Sequence, residues 1–226
     1  MMALTPELIA SRKHTLLVLA IVAVLTLLGI AQLGTTAVTP GPRSSRVVPY
    51  LVLIALQWLW VRFVRAGMNA RGHALSELTG GRWASRRQLV SDVLFAIAAF
   101  VAAHGAAELL KIALGGVESN TAFLLPEGLT ESALWVCVSI AAGVSEEIVF
   151  RGYLQRQLTA VTGSAAAAVL LQALIFGISH GYQGLKSMAI TGAYGLVLGL
   201  VAWYRGNVRA GMLAHAVTDI VGGLVR

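Results

Sequence analysis

Hydrophobic positions fall into long blocks rather than an alternating pattern. The stretch 15–38 contains no charged residue at all. A helix crossing a bilayer needs roughly 20 mostly apolar residues, so this stretch predicts a first transmembrane span. It is too long for the core of a signal peptide and lacks a small-x-small cleavage site after it. Further spans are expected at 47–64, 89–114, 129–161, 164–180, 185–204 and 208–224. The segment 65–87 between the second and third blocks is rich in Arg and Gly and reads as a loop, with room for an amphipathic piece on the membrane surface. The expected fold is an all-α polytopic membrane bundle of about seven helices. The chain divides into an N-terminal transmembrane region, 1–128, and a second region, 129–226, that holds most of the unusual polar residues.

Composition sharpens this picture. Of 226 residues, 57% are hydrophobic and 12% charged, against about 25% charged in ordinary soluble domains. One cysteine, Cys137, excludes a disulfide scaffold, and it sits in an apolar run that leaves it inert. The formal net charge is +7, but no basic stretch interleaved with aromatics marks a nucleic-acid surface, so no nucleic-acid partner is expected. The seven-span reading puts twelve Lys and Arg on the side of the N-terminus, beginning with Arg12 and Lys13, and five on the other. Positive charge collects on the cytoplasmic side. The N-terminus is therefore expected in the cytoplasm and the chain in the cell membrane. Pairs such as Gly177 with Gly181 and Gly195 with Gly199 let helices approach closely in lipid.

Charged groups at bilayer depth cost at least ~2.5 kcal/mol each, and the second region concentrates them in three places. Glu146 and Glu147 are adjacent and followed by Arg151. Neighbouring helix positions point about 100° apart, so the two carboxylates have different tasks. Arg151 is four residues beyond Glu147 and can pair with it. That leaves Glu146 on another face, free to act as a general base. The alternative is a structural ion-pair cluster at a helix end. His180 closes a Phe176-x-x-x-His180 sequence near the end of a span, where a packed histidine is the commoner case. His215 and Asp219, four apart, share a helix face. They could bond each other, bind a metal, hold a reacting oxygen, or simply glue helices together. Glu146 lies 16 residues before Thr162 and His180 lies 18 after it. In an antiparallel hairpin turning there, the two reach nearly the same height.

These three motifs, in order on successive apolar segments, resemble the abortive-infection family. That is the CAAX-protease and bacteriocin-processing group, which includes the type II CAAX prenyl endopeptidases. The resemblance runs from Leu129 onward. It implies an intramembrane endopeptidase in which Glu146 and His180 activate a water, Glu147 and Arg151 order the site, and His215 and Asp219 hold the oxyanion. The third motif ends in Asp219, where the prenyl endopeptidases typically have Asn and other members of the family Asp. An ionised Asp219 would repel an oxyanion. It would have to be protonated, orient His215, or ligate a metal. With a divalent metal such as zinc, the ligand set would be Glu146, His180, His215 and Asp219. The favoured reading has no catalytic metal and no cofactor. The implied partner is a peptide or protein substrate, prenylated or not, such as a leader peptide, bacteriocin precursor or membrane-anchored regulator.

Two other functions stand beside this one. The fold could serve as a catalytically inactive scaffold or immunity-type partner-binding protein. It could also be a transporter component, against which no inverted repeat or paired broken helices are visible. On the third span, His104 and Glu108 are spaced to pair, with Lys111 following, and Asp92 is expected at the interface. Tyr153, Gln172 and Tyr182 flank the motifs and could line the site.

Overall fold

The computed structural model describes residues 7–36, 45–117 and 121–225, and all the regular structure among them is helical. The end of the first expected span, 37–38, lies outside the described residues. Helices α1 (Arg12–Thr36), α2 (Val47–Asn69) and α4 (Arg86–Ala113) form the N-terminal half, with a one-turn helix α3 (Ser76–Thr79) inside the polar loop. The loop therefore does contain a helical piece, but it docks on the bundle: Leu78 is fully buried. The second half consists of α5 (Gly128–Glu146), a π-helical segment (Glu147–Leu154), α6 (Gln155–Thr162), α7 (Ala165–Ser179), α8 (Leu185–Arg205) and α9 (Arg209–Leu224).

Among the described residues, five helical stretches are long and apolar enough to cross a membrane: Arg12–Ala31, Val47–Asn69, Arg86–Ala113, Gly128–Thr162 and Leu185–Arg205. This is a membrane protein built as a bundle of about seven long helices. The expected fifth and seventh spans are the short ones, α7 with 15 residues and α9 with 16. Helix α7 stops where the chain turns polar, at Ser179 and His180, and a single 3-10 turn (Gly181–Gln183) leads into α8.

Packing follows the small residues. A Cβ on Gly177 would lie 2.6 Å from the Met188 carbonyl oxygen, and one on Gly143 would lie 2.7 Å from the Ala216 nitrogen. These glycines let α7 meet α8, and α5 meet α9, backbone to backbone. One face of each of α1, α2 and α4 packs inward, through residues such as Val18, Val64 and Ala99, and the other faces outward, as lipid requires: Leu16, Leu27, Val48, Leu59, Leu94 and Ile112 are all exposed.

The N-terminal half grips the π segment from below. Gln157 Oε1 accepts from the backbone nitrogens of Ile9 and Ala10 at 2.9 and 3.3 Å, and its Nε2 donates to the Ala10 carbonyl at 3.0 Å. The Tyr153 hydroxyl lies 2.8 Å from His14 Nδ1 and 3.1 Å from Thr15 Oγ1. Tyr153 therefore faces α1 and does not line the site. Gln172 also turns away from it, donating to the Gly195 carbonyl at 2.8 Å.

Asp92 is completely buried rather than exposed at an interface. Its oxygens meet Arg205 at 2.6 Å and Arg209 at 2.9 Å, and Trp83 Nε1 donates to it at 2.8 Å. Two cations and an indole satisfy a carboxylate well enough to hold it inside the bundle. His104 does not pair with Glu108. Its Nδ1 donates to the Phe100 carbonyl at 2.9 Å, and Glu108 takes Lys111 at 2.6 Å instead. The i−4 carbonyl is the nearer acceptor for the ring, which leaves Glu108 to its closest cation.

Candidate active site

The long rod from Gly128 to Thr162 changes winding where the paired carboxylates stand. Glu146 ends α5, and Glu147 begins the π-helical segment. Such segments widen the helix by one residue per turn and often occur at functional sites. Here the segment carries Glu147, Phe150 and Arg151 on its buried length.

Glu147 is the structural member of the pair. Its side chain and that of Arg151 are both inaccessible, and they form an ion pair at 2.9 Å. The same oxygen, Oε1, lies 3.0 Å from His215 Nδ1. A carboxylate only accepts, so His215 donates through Nδ1 and presents Nε2 to the site. Gly211, one turn earlier on α9, makes room: a Cβ there would sit 2.6 Å from Glu147 Oε2. The Arg151 guanidinium lies 3.8 Å from the centroid of the Phe176 ring, a cation–π contact that offsets part of its desolvation.

Glu146 is placed differently. Its Oε2 lies 3.9 Å from His180 Nε2 and 3.9 Å from His215 Nε2. Those separations are too long for direct hydrogen bonds and suit a bridging water. The oxygen is buried and has no protein hydrogen-bond partner. His180 Nδ1 lies 2.9 Å from the Phe176 carbonyl, an acceptor, so this nitrogen carries a proton and Nε2 faces Glu146. Phe176 thus serves three neighbours: it backs Arg151, lies tilted against the His180 ring at 4.6 Å and meets His215 edge-on at 6.0 Å. In the sequence Phe176 stands out only as the first residue of its motif.

Asp219 Oδ2 lies 3.6 Å from His215 Nε2. Side-chain exposure rises from 0% at Glu147 and 10% at His215 to 15% at His180, 20% at Glu146 and 33% at Asp219. The cluster is closed beneath Glu147 and opens at Asp219. All six expected residues therefore come together across the rod, α7 and α9. Tyr182 is also at the opening, its ring 5.9 Å from that of His180.

Among the described residues, no group of three or more His, Cys, Asp or Glu converges to hold a metal ion. Glu146 Oε2 and Asp219 Oδ2 both face His215 Nε2, and His180 Nε2 faces Glu146 Oε2. An apolar groove of about 380 Å³ runs between α7 and α8. It is floored by Ala173, Gly177 and Gly192 and reaches Ile178, two residues before His180.

Residues 128–221 match the family model described as type II CAAX prenyl endopeptidase Rce1-like. The match contains all six clustered residues and leaves out α1, α2 and α4. No curated protein and no solved structure matches the chain.

Proposed function

We propose that this membrane protein, whose residues 128–221 carry an Rce1-like domain, is an endopeptidase that hydrolyses a peptide bond of a membrane-associated, CAAX-type substrate within the bundle. The observation that carries this reading is Glu146 Oε2, a buried carboxylate oxygen without a protein partner that faces two imidazole nitrogens at 3.9 Å each. An unsatisfied buried acceptor costs ~1 to 3 kcal/mol, and a water bound between Glu146 and the two imidazoles removes that cost.

Glu146 and His180 hold a water between them as acceptors. Glu146 removes one proton as the water oxygen bonds to the substrate carbonyl carbon, and the carbonyl oxygen becomes an oxyanion. When the carbonyl re-forms, the carbon–nitrogen bond breaks and the stored proton passes to the leaving nitrogen. Glu147, itself paired with Arg151, fixes His215, which presents Nε2 toward Glu146.

The apolar groove beside Ile178 is suited to a lipid or isoprenoid chain on the substrate, with polar requirements met only at the cluster. The exposed Arg12, Lys13, Arg62, Arg65, Arg71 and Arg82 favour the cytoplasm for the end of the bundle where α1 begins.

The test is turnover of quenched fluorescent peptides by the purified protein in detergent, using a farnesylated CaaX peptide and its unprenylated twin. Wild type is expected to cut at least one of them, and Glu146→Gln and His180→Ala neither. A chelator arm reports on metal. Equal turnover by wild type and Glu146→Gln, or none by wild type, overturns the proposal in favour of a binding scaffold.

A further inference from the structure

An oxyanion formed beside Glu146 also lies near Asp219. An ionised carboxylate accepts hydrogen bonds and donates none, so Asp219 in that form repels the charge that develops. Hydrolysis there needs a neutral or cationic donor already aimed at the oxyanion position.

We propose that the Tyr182 hydroxyl is this donor, with Gln183 and Thr191 as its positioning residues. The inference rests on the endopeptidase reading given above. Helix α7 ends one residue before His180, and the 3-10 turn Gly181–Gln183 carries Tyr182 back over the same opening. Its ring lies 5.9 Å from the His180 ring. Thr191 on α8 donates to Gln183 Oε1 at 3.3 Å, which fixes the orientation of the amide. Gln183 Nε2 then donates to the Tyr182 oxygen at 3.1 Å. The phenol oxygen is thereby used as an acceptor, and its proton has no protein acceptor among the described residues. A hydroxyl held through its lone pair and free through its proton is oriented before the reaction starts. The ring is seated on α1 as well: a Cβ on Gly29 would lie 3.3 Å from the Tyr182 Cβ. Tyr182 supplies the donor that an ionised Asp219 lacks.

The experiment compares wild type, Tyr182→Phe and Gln183→Leu on the farnesylated CaaX peptide and its unprenylated twin. A phosphinate isostere of each peptide is used as the tetrahedral mimic. Tyr182→Phe keeps the ring and removes the donor. It is expected to lower kcat by roughly 10²- to 10³-fold with KM and Tm unchanged, and to weaken the phosphinate while leaving product binding as it was. Gln183→Leu is expected to lower kcat by about tenfold, as loss of orientation alone would. If Glu146→Gln abolishes turnover but Tyr182→Phe turns over and binds phosphinate like wild type, this inference falls and the endopeptidase reading stands. If wild type neither cuts the peptides nor binds the phosphinates, both fall together.

Discussion

Two buried carboxylate clusters lie along α9, and they are finished to different degrees. At its start, Asp92 has both oxygens occupied, by Arg205 at 2.6 Å and by Arg209 at 2.9 Å with Trp83 at 2.8 Å. Six residues on, around His215, Glu146 Oε2 and Glu147 Oε2 have no protein partner. The first cluster ties α4 to the turn between α8 and α9 and leaves its acceptors no capacity for anything else. The second keeps an acceptor open at a cost in stability. Saturation is what distinguishes a clasp from a site, since both clusters are buried, acidic and partnered by arginine.

The comparison breaks most sharply under substitution of one carboxylate in each. Glu146→Gln is expected to lower kcat by about 10²- to 10⁴-fold, with Tm in detergent unchanged or slightly raised. Asp92→Ala should do the opposite. Stranding two buried guanidinium groups costs ~3 to 5 kcal/mol, visible as a large drop in Tm, while the folded fraction retains wild-type kcat. A Glu146→Gln protein that loses Tm and an Asp92→Ala protein that loses only kcat would reverse the two assignments.

A smaller effect probes how the open cluster is held. Gly211→Ala places a methyl group 2.6 Å from Glu147 Oε2. Overpacking of this kind costs ~1 to 3 kcal/mol, and it moves Glu147 away from His215. Activity is therefore expected to fall further than stability does, measured as kcat against Tm. Gln157→Leu removes three hydrogen bonds to the Ile9 and Ala10 backbone. It should cost ~1 to 3 kcal/mol and raise hydrogen exchange at Ile9 and Ala10.

The mildest prediction concerns pH at the loop beneath the clasp. The Ala74 backbone N–H, followed by His73, holds the Glu77 carboxyl below the usual 4.5. A depressed carboxylate contributes stability above its unfolded value and loses it as pH falls through the folded one. Exchange at Leu78 and Thr79 should therefore stay low at neutral pH and rise only below about pH 4.5. A rise already between pH 7 and 6 would point to His73 instead.

The sequence carried much of this. Spans and helical class follow from apolar blocks, because a chain in lipid has to satisfy its backbone internally. The Glu147–Arg151 pair follows from i,i+4 spacing, and the meeting of Glu146 with His180 follows from equal distances to the turn at Thr162. Both depend only on helix rise and repeat, which are the same in every protein. The partners of Asp92, Arg205 and Arg209, are more than a hundred residues away, and position along a span says nothing about what packs against it. The His104–Glu108 pair failed for a related reason, since correct spacing does not make two groups preferred partners when a carbonyl and a lysine are closer.

By itself the sequence determined a membrane helix bundle and the six polar residues brought together in its second half. Only the tertiary structure decided which carboxylate is saturated and which is open, where α7 stops, and that the rod unwinds into a π segment at Glu147. It also decided that the Tyr182 hydroxyl is fixed by side chains from two elements. Local spacing sets which residues share a helix face. Hydrogen-bond satisfaction is a property of three or more elements meeting, and no single stretch of chain encodes it.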